Sequence, residues 1–228
     1  MLHFHGTPIS PRDVLYTLAG RHFCVSHSAP GDVHVCHQIG QSLMLDNGAF
    51  SAWRRGKLPD WPAYYAWCER WLGPADWAVI PDVIDGSDEA NDALIAQWPH
   101  GYKGAPVWHL HESIDRLRRL VDAWPRVCLG SSGAYSTIGT DQWERRMDMA
   151  FNAVCAGRFV PALHGLRMMS LSGQRWPLAS VDSTDVARNH NRKHNRADWM
   201  VDRWDRSQCP TRWHSRPIEV GLFGECVA

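Results

Sequence analysis

Ser42-Leu43-Met44-Leu45-Asp46-Asn47-Gly48-Ala49-Phe50 is the stretch that decides the fold. A short apolar run closes on a carboxylate, an amide and a glycine. Runs of this kind, ended by small polar residues, read as buried strands that surface at their C-terminal ends. The pattern recurs where Trp77-Ala78-Val79-Ile80-Pro81 closes on Asp82, and where Pro177-Leu178-Ala179-Ser180-Val181 closes on Asp182. A carboxylate at the end of a buried parallel strand lies where α/β folds keep their chemistry. The three together predict an enzyme whose site is lined with Asp.

Working outward, further strands are expected at Leu2–His5, Phe23–Ser26, Pro106–His111, Arg126–Gly130 and Pro161–His164, beside Ser42–Asp46, Trp77–Asp82 and Pro177–Asp182. Helix signals alternate with them. Ser113 caps a segment with Ile114, Leu117, Leu120, Val121 and Trp124 on one face, and Thr140 caps one with Trp143, Met147, Ala150, Phe151 and Val154. Ser87 opens Asp88–Trp98 with acidic residues in its first turn, as the helix dipole favours, and Asp60–Leu72 is dense in aromatics. This alternation predicts a parallel sheet and a small (β/α)8 barrel of the TIM type over residues 1–189. The Arg167–Trp176 connection is too short for a full helix. An open doubly wound sheet is the alternative, although neither GxGxxG nor GxxxxGK[ST] is present to support nucleotide binding of those kinds. From residue 190 to 228 the pattern dissolves into His, Asn, Arg and Trp, and an irregular basic extension is expected.

Composition bounds the function. Hydrophobic residues make up 44% of 228, which suits a globular core. No apolar segment reaches the roughly 18 residues of a membrane span. Met1-Leu2-His3-Phe4-His5-Gly6 lacks the basic start and apolar block of a signal peptide, and seven scattered cysteines without a CxxC pair read as reduced thiols. A cytoplasmic location is expected. Net charge is zero overall, yet Val186–Arg216 carries eight Lys/Arg against three Asp. Arg188, Arg192, Lys193 and Arg196, interleaved with Asn and Trp, fit phosphate contact and base stacking; the bland alternative is a solvated basic surface.

Each smaller motif has two readings. Asp46-Asn47-Gly48 offers a carboxylate and a glycine that lets backbone N–H groups approach a ligand, or an ordinary Asx turn. Gly130-Ser131-Ser132-Gly133 can cradle a phosphate or the polar edge of a base, or be a plain loop, and His164-Gly165 is similarly ambiguous. His3 and His5, like His109 and His111, share a strand face and could hold a transition metal. His190, His194, Cys209 and His214 lack the paired-Cys spacing of a zinc site.

Asp46-Asn47-Gly48-Ala49-Phe50 resembles the Asp-Ser-Gly-(Gly/Ala)-Phe motif of the tRNA-guanine transglycosylases, (β/α)8 barrels that exchange a guanine for a 7-deazapurine. Asp82, Leu129-Gly130-Ser131-Ser132-Gly133, Leu163-His164-Gly165 and Val181-Asp182-Ser183-Thr184-Asp185 are similar to later pieces of that family, in the same order, over about residues 40–190. The short length and the Asp-Ser-Thr sequence look closer to the phage-type branch that modifies DNA. The chain departs from the family in lacking its CxCxxC…H zinc element, in carrying Asn47 where the family has Ser, and in having no Gln after Phe50.

The resemblance implies that Asp182, or Asp185 if the Val-Asp-x-x-Asp match is strict, attacks the anomeric carbon. It implies that Asp46 acts as general acid–base, and that Asp82 pairs with the guanine edge. Asn47, Gly48, Phe50, the Gly130–Gly133 loop, His164 and Gly165 would line the base site. The implied partners are nucleic acid, DNA before tRNA, and a 7-deazaguanine-type base; no cofactor, metal or membrane is called for. Two other readings stand beside this one: a metal-dependent hydrolase of the amidohydrolase kind using His3, His5, His109, His111 and Asp182, and a non-enzymatic nucleic-acid-binding accessory protein working through the basic extension.

Overall fold

The computed structural model describes residues 1–155 and 160–217. Nine strands, all parallel, form one sheet among the described residues: β1 (Leu2–Gly6), β2 (His22–Ser26), β3 (Ser42–Asp46), β4 (Trp77–Val79), β5 (Gly104–Ala105), β6 (Val107–His109), β7 (Val127–Gly130), β8 (Leu163–Gly165) and β9 (Ser180–Ser183), in the order β5-β4-β3-β2-β1-β9-β8-β7-β6. The two edges of this sheet, β5 and β6, are separated in the chain by Pro106 alone, so the sheet curls into a nearly closed barrel. Proline has no N–H to give to a ladder. It therefore separates β5, which pairs with β4 and is not among the strands expected from the sequence, from β6, which pairs with β7 and lies within the expected strand Pro106–His111, while its own carbonyl accepts from Cys128 N at 2.8 Å.

All eight expected strands are present, most shifted by one to three residues at their ends, and β3 coincides with its expected bounds. Nine helices surround them among the described residues: α1 (Arg12–Tyr16), α2 (Val33–Ile39), α3 (Ala49–Arg54), α4 (Trp61–Trp71), α5 (Asp88–Ala96), α6 (Ile114–Ala123), α7 (Asp141–Cys155), α8 (Asp185–Asn189) and α9 (Ala197–Arg206). Ser87, Ser113 and Thr140 cap as expected, accepting from the N–H groups of Ala90, Arg116 and Trp143, and Asp60 caps α4 in the same way by accepting from Ala63 N. Between Arg167 and Trp176 there is only a single 3-10 turn, Met169–Leu171.

Side-chain alternation along the strands sorts the core. Phe4, Cys24, Met44, Trp77, Val79, Ala105, Val107 and Cys128 fill the barrel interior. Outward-facing Phe23, Val25, Leu43, Leu45 and Ala78 pack under α2, α4, α8 and α9, and Trp108, Val127, Leu129, Leu163 and Val181 pack under α6 and α7. The barrel is thus a packed core, closed below by Arg126, whose guanidinium lies 4.5 Å from the Trp77 ring.

The extension is not irregular, as the sequence reading has it. Ala197, Met200, Val201 and Trp204, at helical spacing, turn α9 into an amphipathic helix that joins the same core cluster as β2 and β3. Asp205 of α9 fixes it to the strands through Arg21 Nη1 at 2.7 Å and His5 Nε2 at 3.4 Å. No helix among the described residues is long and apolar enough to cross a membrane. The six cysteines among the described residues are buried and unpaired.

Candidate active site at the strand ends

Asp46 and Asp182 sit at the C-terminal ends of β3 and β9, and Asp82 lies three residues beyond β4. The structure brings these three carboxylates close enough for their charges to interact at the barrel mouth. Parallel strands of matched register deliver them there, since each inward-facing position at a strand end meets the same opening.

Their environments differ. Asp46 Oδ2 accepts from Gly48 N at 3.2 Å, the Asx turn that an Asp-Asn-Gly sequence favours. Gly48 has φ 75°, a left-handed conformation that leads the chain into α3. Burial pushes the Asp46 carboxyl up to about 6, and the neighbouring charges of Asp182 and Asp82 add to this, while hydrogen bonds from Ser26 and Gly48 oppose it.

Asp182 is held on one oxygen only. Its Oδ1 accepts from Arg167 N at 2.7 Å and faces His164 Nε2 at 3.2 Å, while its Oδ2 has no hydrogen-bond partner among the described residues. His164 is fully buried beneath it, with Nδ1 at 2.8 Å from Ser180 Oγ, so this histidine supports the carboxylate rather than lining the opening.

Asp82 is held on both oxygens, by Asn47 Nδ2 at 2.7 Å on Oδ1 and by His109 Nε2 at 2.8 Å on Oδ2. Asn47 is a strut: it also donates to Ile80 O at 2.9 Å and accepts from Ala49 N at 2.8 Å. The two readings of the Asp46-Asn47-Gly48 motif are therefore compatible, since the turn is what positions the carboxylates.

Over the opening lies a residue the sequence reading missed. Arg167 has φ 58°, unusual for a residue with a side chain, and its guanidinium sits 3.7 Å from the centre of the Phe50 ring. Burial lowers its pKa from the ordinary value, and Asp182, Asp46 and Asp82 act against that shift. No sequence pattern marks Arg167; the left-handed turn after β8 puts it there.

Other expected site residues are engaged elsewhere. Ser131 Oγ accepts from Trp143 Nε1 at 2.9 Å and Ser132 Oγ lies 2.7 Å from His111 Nδ1, so both hydroxyls of the loop after β7 brace the fold. Gly133 begins a 3-10 turn with φ 54°, and Gly165 gives room to Met168, which a side chain there would meet at 2.8 Å. Asp185, in the first turn of α8, bonds to Asn189 Nδ2 at 2.6 Å and Trp204 Nε1 at 3.0 Å, an arrangement that joins α8 to α9 and not to the three carboxylates.

The histidine pairs do not converge. His3 and His5 point outward from β1 to Asp205, whereas His109 points into the mouth and His111 lies beyond the strand end. The ligand set of a metal hydrolase is therefore not assembled, and no group of three or more His, Cys, Asp or Glu among the described residues could hold a metal ion. His190 faces the carbonyls of Val186 and Ser10, and Cys209 that of Leu171, so neither belongs to a zinc site. In the basic segment Arg188, Arg192, Lys193 and Arg196 are exposed; Arg196 pairs with Asp198 at 2.6 Å and stacks on Trp199. Searches of known protein families, curated proteins and solved structures found no match to this chain.

Proposed function

We propose that the chain is a (β/α)8-barrel transglycosylase that exchanges guanine for a 7-deazaguanine-type base in nucleic acid, DNA in preference to tRNA. One observation carries the reading: two neighbouring strand-end carboxylates, Asp46 and Asp182, have environments that set them to opposite tasks. A carboxyl raised by burial beside a second carboxylate with an unengaged oxygen can divide acid and nucleophile roles in glycosyl transfer.

In the proposed reaction Asp182 Oδ2, the oxygen without a partner, attacks the anomeric carbon. The glycosidic C–N bond breaks, and its electron pair leaves with guanine. Asp46, with a carboxyl raised to about 6, gives its proton to the departing base. The incoming base then returns a proton to Asp46 as its ring nitrogen attacks the same carbon, and the ester bond to Asp182 breaks. The covalent intermediate divides one difficult displacement into two easier ones. Arg167 N and His164 fix the attacking carboxylate, and the Arg167 guanidinium is itself seated on the Phe50 ring at the rim. A glycosidic bond inside a duplex is out of reach, so single-stranded or flipped-out substrate is preferred.

The test is adduct trapping. Wild type and Asp185→Asn should form a covalent protein–nucleic acid adduct, and Asp182→Asn should form none. An adduct that persists in Asp182→Asn overturns the mechanism. Mass spectrometry of nucleosides from DNA and tRNA of cells expressing the chain, with and without a deazapurine supply, then identifies the substrate.

A further inference from the structure

We infer that His109 reads the ligand at the barrel mouth through its Nδ1, and that the ligand presents a ring or amino N–H to that nitrogen. The inference rests on the base-exchange reading and moves base recognition from Asp82 to its neighbour.

The first ground is that Asp82 is occupied. Both of its oxygens are engaged, by Asn47 and by His109, and it is buried. A carboxylate held in this way is well placed to orient an imidazole. The second ground is that His109 is immobilised. Its Nε2 meets Asp82 Oδ2 at 2.8 Å, its backbone N–H donates to Glu112 Oε2 at 2.8 Å, and its ring stacks on that of His111 with centroids 5.7 Å apart. Glu112 is itself fixed by Arg116 Nη1 at 2.6 Å and Asn91 Nδ2 at 2.7 Å.

The third ground is the other nitrogen. His109 Nδ1 is buried and has no hydrogen-bond partner among the described residues. Buried polar atoms are as a rule satisfied, and the other orphaned side-chain atoms, on His5, Tyr65, Trp77 and Arg116, are not at the mouth. In the neutral ring, the proton on Nε2 faces Asp82 and leaves Nδ1 as a lone pair, an acceptor. Gly130 lies against this nitrogen, and a Cβ there would come within 2.7 Å of Nδ1, so the position of the ring depends on the missing side chain. The chemistry that satisfies a lone pair in such a place is a planar heterocycle with an N–H donor, as on the lactam–amino edge of guanine.

The experiment uses the full chain labelled with nitrogen-15 histidine, titrated with guanine. The Nδ1 resonance of His109, assigned by its loss in His109→Phe, should move towards the hydrogen-bonded position as guanine binds. Guanine affinity should fall about tenfold, the usual loss for one hydrogen bond, in His109→Phe. It should fall likewise in Gly130→Ala, whose Cβ would lie 2.7 Å from Nδ1 and displace the ring. Guanine binding with an unmoved Nδ1 resonance overturns the inference and leaves base exchange standing. A wild-type chain that neither binds guanine nor forms an adduct overturns both.

Discussion

His164 Nε2 lies 3.2 Å from Asp182 Oδ1, and Ser180 Oγ, two residues before that aspartate on the same strand, lies 2.8 Å from the other ring nitrogen. The barrel interior thus supports its own strand-end carboxylate from below. His164→Leu keeps the volume and removes both contacts. It should cost about 1–3 kcal/mol of stability, as for a buried polar group left unpaired, and lower kcat more than it raises KM. His164→Gln should recover part of kcat. Equal losses in kcat and stability-corrected activity for both variants would mean a purely structural role.

Asp46 carries a pH signature. Its folded carboxyl titrates near 6, above the usual range of an unfolded Asp. The folded state therefore binds the proton more tightly, and stability present at low pH is lost as pH rises from about 4 to 6. Asp46→Asn removes this penalty. The variant should unfold at higher denaturant than wild type at pH 8, by up to about 3 kcal/mol, and match it near pH 4. Its exchange activity should be lost. Equal pH profiles for the two proteins would refute the assignment of Asp46 as the acid.

The α9 anchor predicts the opposite slope. Burial lowers His3 to about 4, so the unfolded chain takes up a proton that the folded chain refuses. Stability from this residue is therefore lost as pH falls from about 6.5 to 4. Asp205→Ala, which removes the partner of Arg21, His3 and His5, should lower stability at pH 7 by about 1–3 kcal/mol. Thermal melts across pH check both, and His3→Gln should flatten the acid limb.

Arg188, Arg192 and Lys193 are exposed, whereas Arg196 is already paired with Asp198. If the segment contacts phosphates, replacing the first three should reduce the salt slope of single-strand binding by about 2, at roughly 0.7 per contact. Adding the Arg196 replacement should change it less than any of the others. An unchanged slope would assign the segment to solvent.

The strand ladder was legible because a buried parallel strand must be apolar over several residues and ends abruptly at polar ones. That is why Ser42–Asp46 and the positions of Asp46, Asp82 and Asp182 could be read directly. The four capped helices were legible for a similarly local reason, a side-chain oxygen bonding an N–H three residues on. The stripe Ala197, Met200, Val201 and Trp204 was also present in the sequence, hidden by the His, Asn and Arg around it.

Other features exist only in three dimensions. The direction of a histidine depends on which face of a strand meets the interior, so His3 and His109, alike in sequence, end on opposite sides of the barrel wall. Arg167 reaches Phe50 across 117 residues of chain, through a backbone conformation that no pattern announces. The raised carboxyl of Asp46 comes from burial and from Asp82 and Asp182, brought near by strand register. The sequence by itself determined which residues would stand at strand ends, because that follows from local hydrophobic pattern; the tertiary structure alone decided which of them share a field, because charge and hydrogen bonding act through space.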